Sequence, residues 1–532
     1  MPSLTGPNER PGAPEDIDLS LVRRLADIGI SLSAERDINT LLEKIVSEAL
    51  SFTNADGATL YLVEDGRLSF CISKNISLKI NLGGASGDPV DFEPVPMDSA
   101  FVSAYAAINR KTVNIPDVYS STEFDFTGPK RYDERTGYRS VSMLVTPMMN
   151  HEDEVIGVLQ LLNALDPKTG DVIPFDSRYV ILAESLASQA AVAITNMRLI
   201  KETERLFESF LQVMVTALDA RSKYTHGHVR RVAGLALELA KAVNEADSGP
   251  FSSVEFSDDE LNELRIAGWM HDIGKIVTPQ HVMDKSVKLE TIFDRAELVR
   301  TRYELILAGA RADYLEKKTR LSPGAVSGGD ETLERKYEEQ KKAIEEERDF
   351  VLRCNNPGEF MDDGKLEKLR EIASRFLTVN GHRIRRLSDD ELKNLSIRKG
   401  SITEEEREIM NNHINVTIQM LGKIPFIRKL ANVPLYAGSH HECLDGSGYP
   451  KGLSAEDLPI QSRILALADF FEALTASDRP YKKPMPVEKA YSIVQGEVDK
   501  GRIDGDLFRL FREKDVYSRF IKKDRAEENF SV

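Results

Sequence analysis

The chain has 532 residues, too many for one hydrophobic core, so its length predicts two or more domains. Hydrophobic residues make up 41% and charged residues 29%, the ordinary balance of a globular protein. The formal net charge of −16 argues against a general binder of DNA or of anionic membranes, although a local basic pocket could still hold phosphates. No run approaches the roughly 18 apolar residues of a membrane helix. The three cysteines have no paired spacing, so we expect a cytoplasmic protein with reduced thiols.

The first half of the chain alternates between helical and strand-like patterns. Residues 1–15 are polar and rich in proline and glycine, which predicts a disordered tail. Helical spacing of apolar residues follows over residues 18–53. The runs GATLYLVED and GRLSFCISKN then predict a hairpin with a turn at residues 64–66. Two further strand-like runs, SVSMLVTPMM and EVIGVLQLLNAL, are joined by NHEDE and followed by a long helix that starts near Ser177. Together these elements predict an α/β domain over residues 16–197.

This first domain resembles a GAF domain, through the segment YRSVSMLVTPMMNHEDEVIGVLQLLNA and its flanking helices. GAF domains bind small ligands in some proteins and only dimerise in others, so the resemblance implies either a ligand-binding sensor or a structural module. Members that bind cyclic nucleotides often carry an Asn-Lys-Phe-Asp-Glu signature. Asn163 and Phe175 could match this signature, but Ala164 replaces the lysine, so cyclic nucleotide binding is only a weak option.

The long helix continues past this domain with apolar residues that step alternately by four and three. This heptad spacing, with polar residues at two positions, predicts a parallel coiled coil over residues 186–220 that would link two chains as a homodimer. The alternative is a helix that packs only on its own domain. The seam comprises Val192, Asn196, Leu199, Thr203, Leu206, Phe210, Val213 and Ala217.

Residues 287–400 have a distinct composition. Two highly charged stretches with apolar stripes, separated by LSPGAVSGGDE, predict an antiparallel helical arm whose charges form a solvated face. The GGDE at residues 328–331 spells most of a diguanylate cyclase signature. Thr332 replaces its phenylalanine and charged helices flank it, so we interpret it as a turn followed by the acids that start a helix.

Histidines and acids gather in the last part of the chain, in YTHGHVRRV, HDIGK, EEREIMNNH, HHECLDGSGYP and ILALADFFEALT. One such segment alone would be weak support, because a lone helical histidine is usually a packing residue. An unpaired charge is costly in these apolar surroundings, whereas imidazoles and carboxylates together suit Fe, Mn, Ni or Zn. The set therefore favours a shared metal cluster over separate burial. The candidate ligands are His228, His271, Asp272, His413, His440, His441 and Asp469.

The order of these residues, together with Gly448-Tyr449-Pro450 and the RPYK at 479–482, resembles the HD-GYP subfamily of HD-domain phosphohydrolases. The resemblance covers about residues 205–532, apart from the insertion at 287–400. It implies a multidomain chain: the α/β domain first, then an all-α HD-type domain with the inserted helical arm. It also implies hydrolysis of cyclic di-GMP to linear pGpG, in some members on to GMP.

The resemblance further implies a role for each matching residue. Two divalent ions would be bound by the seven candidate ligands, with iron or manganese expected and nickel, magnesium or zinc as other options. Asp272 and Lys275 would be catalytic, and Lys275 would meet the scissile phosphate. Arg479 and Lys482 would hold phosphate oxygens. The guanine side of the substrate would be shaped by Gly446, Tyr449 and Pro450.

Three further positions lie close to the candidate ligands in the sequence. Some family members bind a third metal through a glutamate four residues before the first histidine, where this chain has Tyr224, so two metals are favoured. Glu472 stands where the family usually has an aspartate, which keeps the charge. Glu442, next to His441, is expected to orient a ligating histidine.

The sequence therefore predicts a cyclic di-GMP phosphodiesterase that is regulated by a GAF domain. Two alternatives stay open: a hydrolase of another cyclic dinucleotide or nucleotide, and a non-catalytic scaffold that only binds cyclic di-GMP. The scaffold would be indicated by missing ligands, and none is missing from the sequence. The inserted arm could gate the site or recruit a partner such as a diguanylate cyclase.

Overall fold

The computed structural model describes residues 19–221, 227–320, 328–379, 382–476 and 485–530. The chain divides into two compact units, one ending at Phe207 and one beginning at Glu208. The predicted fold class is confirmed, because the first unit is built on an antiparallel sheet flanked by helices and the second is mainly helical.

The first unit contains four helices, eight strands and the greater part of a long fifth helix among its described residues. The helices are α1 (Leu19–Ala34), α2 (Ile38–Thr53), α3 (Val102–Asn109) and α4 (Thr127–Thr136). The strands are β1 (Ala55–Glu64), β2 (Arg67–Asn75), β3 (Ile80–Gly83), β4 (Val95–Pro96), β5 (Val113–Ile115), β6 (Met143–Met149), β7 (Val155–Leu165) and β8 (Val172–Ile173). The helical stretch predicted over 18–53 is two helices, because the Asp37 side chain accepts the Thr40 N–H and starts the second one.

The strands form one antiparallel sheet in the order β3-β2-β1-β7-β6-β5, with β4 paired to β2 and β8 paired to β7. The predicted hairpin is confirmed: β1 pairs with β2 and the pairing closes at Glu64 opposite Arg67. The two further predicted strands are also confirmed, as the antiparallel pair β6 and β7. Side chains alternate between two cores: Leu60 and Leu159 face α1, α2 and the long helix, while Tyr61 and Val158 face α3.

Asn163, the residue considered for cyclic nucleotide binding, has a structural role in this sheet. Its backbone has a φ of 53°. Its side-chain nitrogen donates to the Tyr138 hydroxyl at 2.9 Å and to the Arg139 carbonyl at 2.8 Å. Its side-chain oxygen accepts the Val141 N–H at 2.7 Å. The side chain is therefore fully used in holding the segment that leads into β6.

The long helix predicted from Ser177 is confirmed as α5 (Ser177–Arg221). Within Ser177–Leu218, an 18-residue window with a mean hydropathy of 1.3 is apolar enough to cross a membrane by length and composition. This finding corrects our expectation that no run approaches such a segment. Half of that window is buried within the protein, and the core helix of a soluble protein passes the same test.

The second unit is built mainly from helices. Outside the insertion they are α6 (His228–Asn244), α7 (Asp258–Met270), α8 (Gln280–Met283), α13 (Glu404–Asn411), α14 (His413–Leu421), α15 (Val433–Gly438), α16 (Ile460–Thr475), α17 (Val487–Asp499), α18 (Gly505–Glu513) and α19 (Val516–Phe530). Two 3-10 helices lie at Ile273–Val277 and Arg428–Leu430. Helix α6 is central, because it contacts α7, α16, α18 and α19.

The insertion contains α9 (Ala296–Arg320), α10 (Gly328–Cys354), α11 (Asp363–Ser374) and α12 (Asp389–Leu395). Helices α9 and α10 are antiparallel, as predicted, because Tyr303 donates to Glu347 near one end while Tyr314 stacks on Tyr337 farther along. The GGDE at 328–331 starts α10, which confirms its interpretation as a helix start. The turn residues 321–327 lie outside the described part.

The insertion is not entirely helical, which corrects our expectation. Strands β9 (Phe376–Val379) and β10 (His382–Arg385) form an antiparallel hairpin between α11 and α12. The sequence does carry a signal for this hairpin, the Asn-Gly pair at 380–381 between two short strand-forming runs, and the prediction of a helical arm missed it. The insertion also has its own apolar core, which includes Val299, Tyr303, Val351 and Leu369.

The two ends of the insertion are held together at its root. Lys285 lies before the insertion, and its Nζ is 2.8 Å from both carboxylate oxygens of Glu406, which lies after it. The Ser401 hydroxyl donates to the Lys285 carbonyl at 2.9 Å, and Lys288 Nζ donates to the Ile397 carbonyl at 2.8 Å. The chain therefore leaves the HD-type helices and returns to them at one place.

Candidate metal centre

The seven candidate ligands come from five separate segments of the second unit, and the structure brings their side chains together. His228 and His413 are the first residues of α6 and α14. His271 and Asp272 lie between the end of α7 and the 3-10 helix Ile273–Val277. The remaining three are His440 and His441, just after α15, and Asp469 within α16. We call these seven residues the histidine–aspartate cluster.

Asp272 lies at the centre of the histidine–aspartate cluster and is 1% exposed. Its Oδ2 is 3.4 Å from His228 Nε2 and 3.3 Å from His271 Nε2. Its Oδ1 is 3.4 Å from His413 Nε2 and 4.0 Å from His440 Nε2. The two oxygens of one carboxylate therefore face two different pairs of imidazoles.

Three of the imidazoles are oriented by the same hydrogen bond. The Nδ1 atoms of His271, His413 and His440 donate to the backbone carbonyl three residues earlier, at 2.7, 2.5 and 2.7 Å. A carbonyl can only accept, so the proton is on Nδ1 and the Nε2 lone pair points into the cluster. These three Nε2 atoms and Asp272 Oδ1 are buried without a hydrogen-bond partner in the described part of the chain. An unsatisfied buried polar atom costs about 1–3 kcal/mol, and a bound cation would remove this cost for all four.

His228 is oriented differently, by a carboxylate. Its Nδ1 is 2.5 Å from Glu472 Oε2, while Glu472 Oε1 accepts the Arg231 Nε–H at 2.6 Å. Glu472 lies one helical turn after Asp469 on α16, and Asp469 Oδ1 is 3.3 Å from His228 Nε2. From the sequence, Glu472 was notable only for keeping the charge of the family's aspartate. Its spacing from Asp469 is the signal that could have identified it as the partner of a ligand.

The candidate ligands form two groups whose ligand atoms lie within 4.8 Å of one another. The first group is His228, His271 and Asp272, and the second is His413, His440 and His441. Asp469 Oδ1 is 3.8 Å from His271 Nε2 and so lies beside the first group. The donor set, imidazole nitrogens with shared carboxylate oxygens, fits divalent transition-metal ions.

The protonation states of His440, His441 and Asp272 suit metal binding. Burial lowers the pKa of His440 well below its usual value and that of His441 to about 4, so both rings are neutral at pH 7. Burial alone would raise the pKa of Asp272, but Lys275 and His271 hold it well below its usual range. His440 and His441 therefore present neutral imidazoles beside an ionised carboxylate, which are the forms that coordinate metal ions. Burial alone would lower the pKa of His228, but its hydrogen bonds to Asp272, Asp469 and Glu472 raise this pKa well above its usual value.

A glycine lets the two halves of the cluster approach each other. Gly274 is pressed so closely against the start of α14 that an added Cβ would lie 1.9 Å from the His413 carbonyl oxygen. Its N–H donates to Thr417 Oγ1 at 3.0 Å, and Thr417 Oγ1 donates to the His271 carbonyl at 3.2 Å. The HDIGK turn is thereby fixed against the helix that carries His413.

Lys275, the proposed catalytic lysine, lies at the edge of the cluster. Its Nζ is 2.5 Å from Asp272 Oδ2, and its side chain is 20% exposed. Its Nζ therefore lies beside the central carboxylate while part of the side chain faces solvent.

The GYP loop, residues 442–453, folds back over His441. The Tyr449 ring lies 4.9 Å from the His441 ring with an interplanar angle of 34°, and its N–H donates to the His441 carbonyl at 3.2 Å. The loop closes tightly, because a Cβ on Gly448 would lie 2.3 Å from Cys443 N and 2.4 Å from Glu442 Cα. The Tyr449–Pro450 peptide is cis, and Gly446 has a φ of 75°.

Glu442 does not take the role that the sequence suggested. Instead of a histidine, its carboxylate contacts the backbone of its own loop, accepting the N–H of Lys451 at 2.8 Å and of Leu453 at 3.0 Å. Two other candidate residues, Arg479 and Lys482, lie outside the described residues, as does Tyr224.

Comparison with known protein families agrees with this organisation. A GAF domain model matches residues 37–194, and two HD domain models match residues 225–350 and 389–507.

Several curated proteins are similar to part of this chain. A cyclic di-GMP phosphodiesterase of Thermotoga maritima is 36% identical over 136 residues, covering 24% of this chain and 36% of that protein. The 3'3'-cGAMP-specific phosphodiesterase 3 of Vibrio cholerae is 36% identical over 113 residues, covering 21% of this chain and 24% of that protein. The cyclic di-GMP phosphodiesterase response regulator RpfG of Xanthomonas campestris is 29% identical over 196 residues, covering 32% of this chain and 49% of that protein. The chain spans less than half the length of each of these relatives. It therefore carries a GAF domain followed by HD domains, and its relatives include cyclic di-GMP and 3'3'-cGAMP phosphodiesterases.

Proposed function

We propose that this protein is a metal-dependent phosphodiesterase that hydrolyses cyclic di-GMP to linear pGpG. The observation that carries the proposal is the central position of Asp272, whose two oxygens face two pairs of imidazole Nε2 atoms. The names of two similar proteins, both cyclic di-GMP phosphodiesterases, support cyclic di-GMP as the substrate. Product analysis decides whether the reaction continues to GMP.

In this proposal the cluster holds two ions that share Asp272. We expect iron or manganese in this mixed site, because imidazoles suit iron and carboxylates suit manganese; nickel and zinc, which also accept imidazoles, are alternatives, whereas magnesium prefers oxygen ligands. When bound, such a pair lowers the pKa of a water molecule and stabilises negative charge on phosphoryl oxygens. The first ion would be held by His228, His271 and Asp469 and the second by His413, His440 and His441, each together with Asp272.

The residues around the cluster would bind and orient the substrate. The partly exposed ammonium of Lys275 is placed to meet the scissile phosphate, where it would stabilise developing charge or protonate the leaving oxygen. The flat ring of Tyr449, with Pro450 and Gly446, would shape the guanine side. Arg479 and Lys482, from the sequence alone, would hold phosphate oxygens. These local cations offset the repulsion between an anionic substrate and a chain with a net charge of −16.

The direct test is metal analysis coupled to product identification on protein purified without oxygen. We expect loading with Fe(II) or Mn(II) to give pGpG from cyclic di-GMP, and His271→Ala or Asp272→Ala to abolish turnover. His281→Ala is the matched control, because His281 is exposed on α8 and outside the cluster. Normal turnover by both cluster variants would refute the proposal, and tight binding without product in the loaded protein would favour a non-catalytic scaffold.

A second substrate, 3'3'-cGAMP, is favoured by one observation: three of the similar proteins are named as phosphodiesterases specific for it. The two substrates differ in one base and share the phosphodiester ring, so the cluster would act on both in the same way. A panel of cyclic dinucleotides compared by kcat/KM separates them. A higher kcat/KM for 3'3'-cGAMP than for cyclic di-GMP would make 3'3'-cGAMP the proposed substrate in place of cyclic di-GMP.

We further propose that α5 joins two chains as a parallel coiled coil. All eight predicted seam residues are exposed, including Leu206 at 71% and Phe210 at 56%, and such large apolar side chains at heptad spacing fit a partner helix. Leu206→Glu with Phe210→Glu is expected to convert a dimer to a monomer in light scattering after size exclusion. Glu204→Gln, at an exposed position on the outer face of the same helix, away from the seam and its flanking positions, serves as the control.

The same helix would carry regulation from the GAF domain to the metal centre. Glu208 Oε1 on α5 is 2.5 Å from Arg265 Nη2 on α7, and the Arg265 guanidinium stacks 4.5 Å above the Trp269 ring. Helix α7 leads directly into His271 and Asp272. In this proposal the protein is cytoplasmic and a small ligand of the GAF domain is the input. A diguanylate cyclase bound by the arm would supply substrate locally, and unchanged partners and kinetics after deletion of residues 291–398 would exclude that role.

A further inference from the structure

Glu442 is an acid beside a candidate metal ligand, yet its carboxylate is bonded to the backbone of its own loop. It directly follows His441 and is 5% exposed. Both of its carboxylate oxygens are used: Oε1 accepts the Lys451 N–H at 2.8 Å and Oε2 accepts the Leu453 N–H at 3.0 Å. One buried carboxylate therefore ties the start of the GYP loop to its end.

The middle of the loop depends on this closure. Gly448 packs against the backbone of Glu442 and Cys443, at distances that exclude any side chain. The next residue, Tyr449, is held by its N–H to the His441 carbonyl and lies beside the His441 ring. Because residues 451–453 follow directly, any shift of the loop's returning end moves Tyr449 and Pro450 relative to His441.

The outer side of the loop has a separate support. The Leu444 N–H donates to the Arg502 carbonyl at 3.0 Å, and the Ala455 N–H donates to the Leu444 carbonyl at 3.0 Å. The Arg502 Nε also lies 3.5 Å from Asp445 Oδ2. These contacts hold residues 444–445 and 455 but do not reach Tyr449. The position of Tyr449 therefore depends on its own contacts with His441 and on the Glu442 bonds that fix the residues just after it.

We propose that Glu442 is a positioning residue: it holds Tyr449 and Pro450 at the distance from His441 at which a nucleobase of a cyclic dinucleotide is bound. It acts through the backbone of the loop and touches neither the ions nor the substrate. The inference rests on the proposed function for the identity of the bound base, whereas the role of Glu442 in holding the loop rests on the geometry alone.

The test compares Glu442→Gln with Glu442→Asp and with Glu456→Gln, an exposed acid in the segment just after the loop. A glutamine keeps the size but presents an NH2 group to one of the two N–H donors, and an aspartate is one methylene too short to reach both. Loss of one hydrogen bond to a charged group changes an equilibrium constant by about tenfold or more. We therefore expect KM for cyclic di-GMP to rise by about that factor. We expect kcat to change much less and the content of two ions per chain to stay the same. Glu456→Gln should match the wild type.

A second readout does not need turnover. Amide hydrogen exchange in residues 449–453 should accelerate in both Glu442 variants, with no change in residues 404–421, which carry His413. Unchanged exchange and unchanged KM would overturn the inference, as would loss of the ions together with kcat. If the wild type hydrolyses no cyclic dinucleotide, the proposed function fails, and the exchange rates alone decide the role of Glu442: acceleration supports it and no change overturns it.

Discussion

Replacing Glu472 with glutamine should weaken the first of the two proposed metal positions, the one at His228, while the second remains. Glu472 is buried, with one oxygen 2.5 Å from His228 Nδ1 and the other 2.6 Å from Arg231 Nε. A glutamine has only one oxygen for these two N–H donors. If that oxygen faces Arg231, its NH2 group faces His228 Nδ1 and can bond only to an unprotonated nitrogen. The ring proton then moves to Nε2, the atom that faces Asp272 and Asp469.

The size of the effect follows from the hydrogen bonds involved. A bond to a charged group contributes about 1.5–3 kcal/mol, which corresponds to roughly 10- to 150-fold in an equilibrium constant. Loss of a partner of a ligating histidine typically costs 10–100-fold in metal affinity. We therefore expect the affinity of the weaker-held ion to fall by about 10–100-fold in Glu472→Gln. Glu472→Asp, the residue usual in the family, keeps both acceptor oxygens and should recover part of the loss.

The assay is competition with a chelator of known affinity, read as ions per chain by elemental analysis. The wild type should lose its ions over one range of chelator concentration, and Glu472→Gln should lose one ion at a clearly lower concentration. Circular dichroism and thermal unfolding verify that the variant is folded. Equal retention of both ions by Glu472→Gln and the wild type would refute the assignment of His228 as a ligand held by Glu472.

Three further outcomes are expected. Burial lowers the pKa of His441 to about 4, below about 6.5 in an unfolded chain, so the chelator-treated protein should lose stability as the pH falls from 6.5 to 4, by up to about 1.4 kcal/mol per pH unit. The lowered pKa of His440 adds to this loss, and the raised pKa of His228 offsets one of the two contributions. Urea unfolding at pH 6.5 and 5 measures this, and greater stability at pH 5 would contradict it. Gly274→Ala places a Cβ 1.9 Å from the His413 carbonyl oxygen and should lower stability by about 1–3 kcal/mol or more, with a lower thermal midpoint. Lys285→Met leaves the Glu406 carboxylate without its buried partner and should cost about 3–5 kcal/mol in denaturant unfolding. A double variant that also replaces Glu406 should cost less than the single one, and strict additivity would show that the pair does not interact.

The residues of the cluster stood out in the sequence because their types are rarely buried without a reason. His271 and Asp272 stand in an apolar helical context, where only a shared partner offsets the cost of desolvation. The hairpin of β1 and β2 was equally clear, since alternation and the polar turn at 64–66 agree. In each case a local pattern carries the physical requirement, so no knowledge of distant residues is needed.

The sequence did not predict contacts that depend on the tertiary fold. Glu472 meets His228, 244 positions earlier in the chain, and no local pattern connects the two. Glu442 stands beside His441 in sequence, yet its side chain turns away to the backbone of residues 451–453. Adjacency along the chain was a poor guide, because neighbouring side chains at a helix end point in different directions.

The closed root of the insertion makes this chain a natural acceptor for foreign domains. Lys285 and Glu406 meet across the point where the insertion leaves and returns, and Ser401 adds a second connection there. Any module whose two termini lie close together could replace residues 291–398 without pulling His271 away from His413. A circularly permuted fluorescent protein placed at this junction would convert movement near the histidine–aspartate cluster into an optical signal, which would make the chain a template for a biosensor of the proposed substrate.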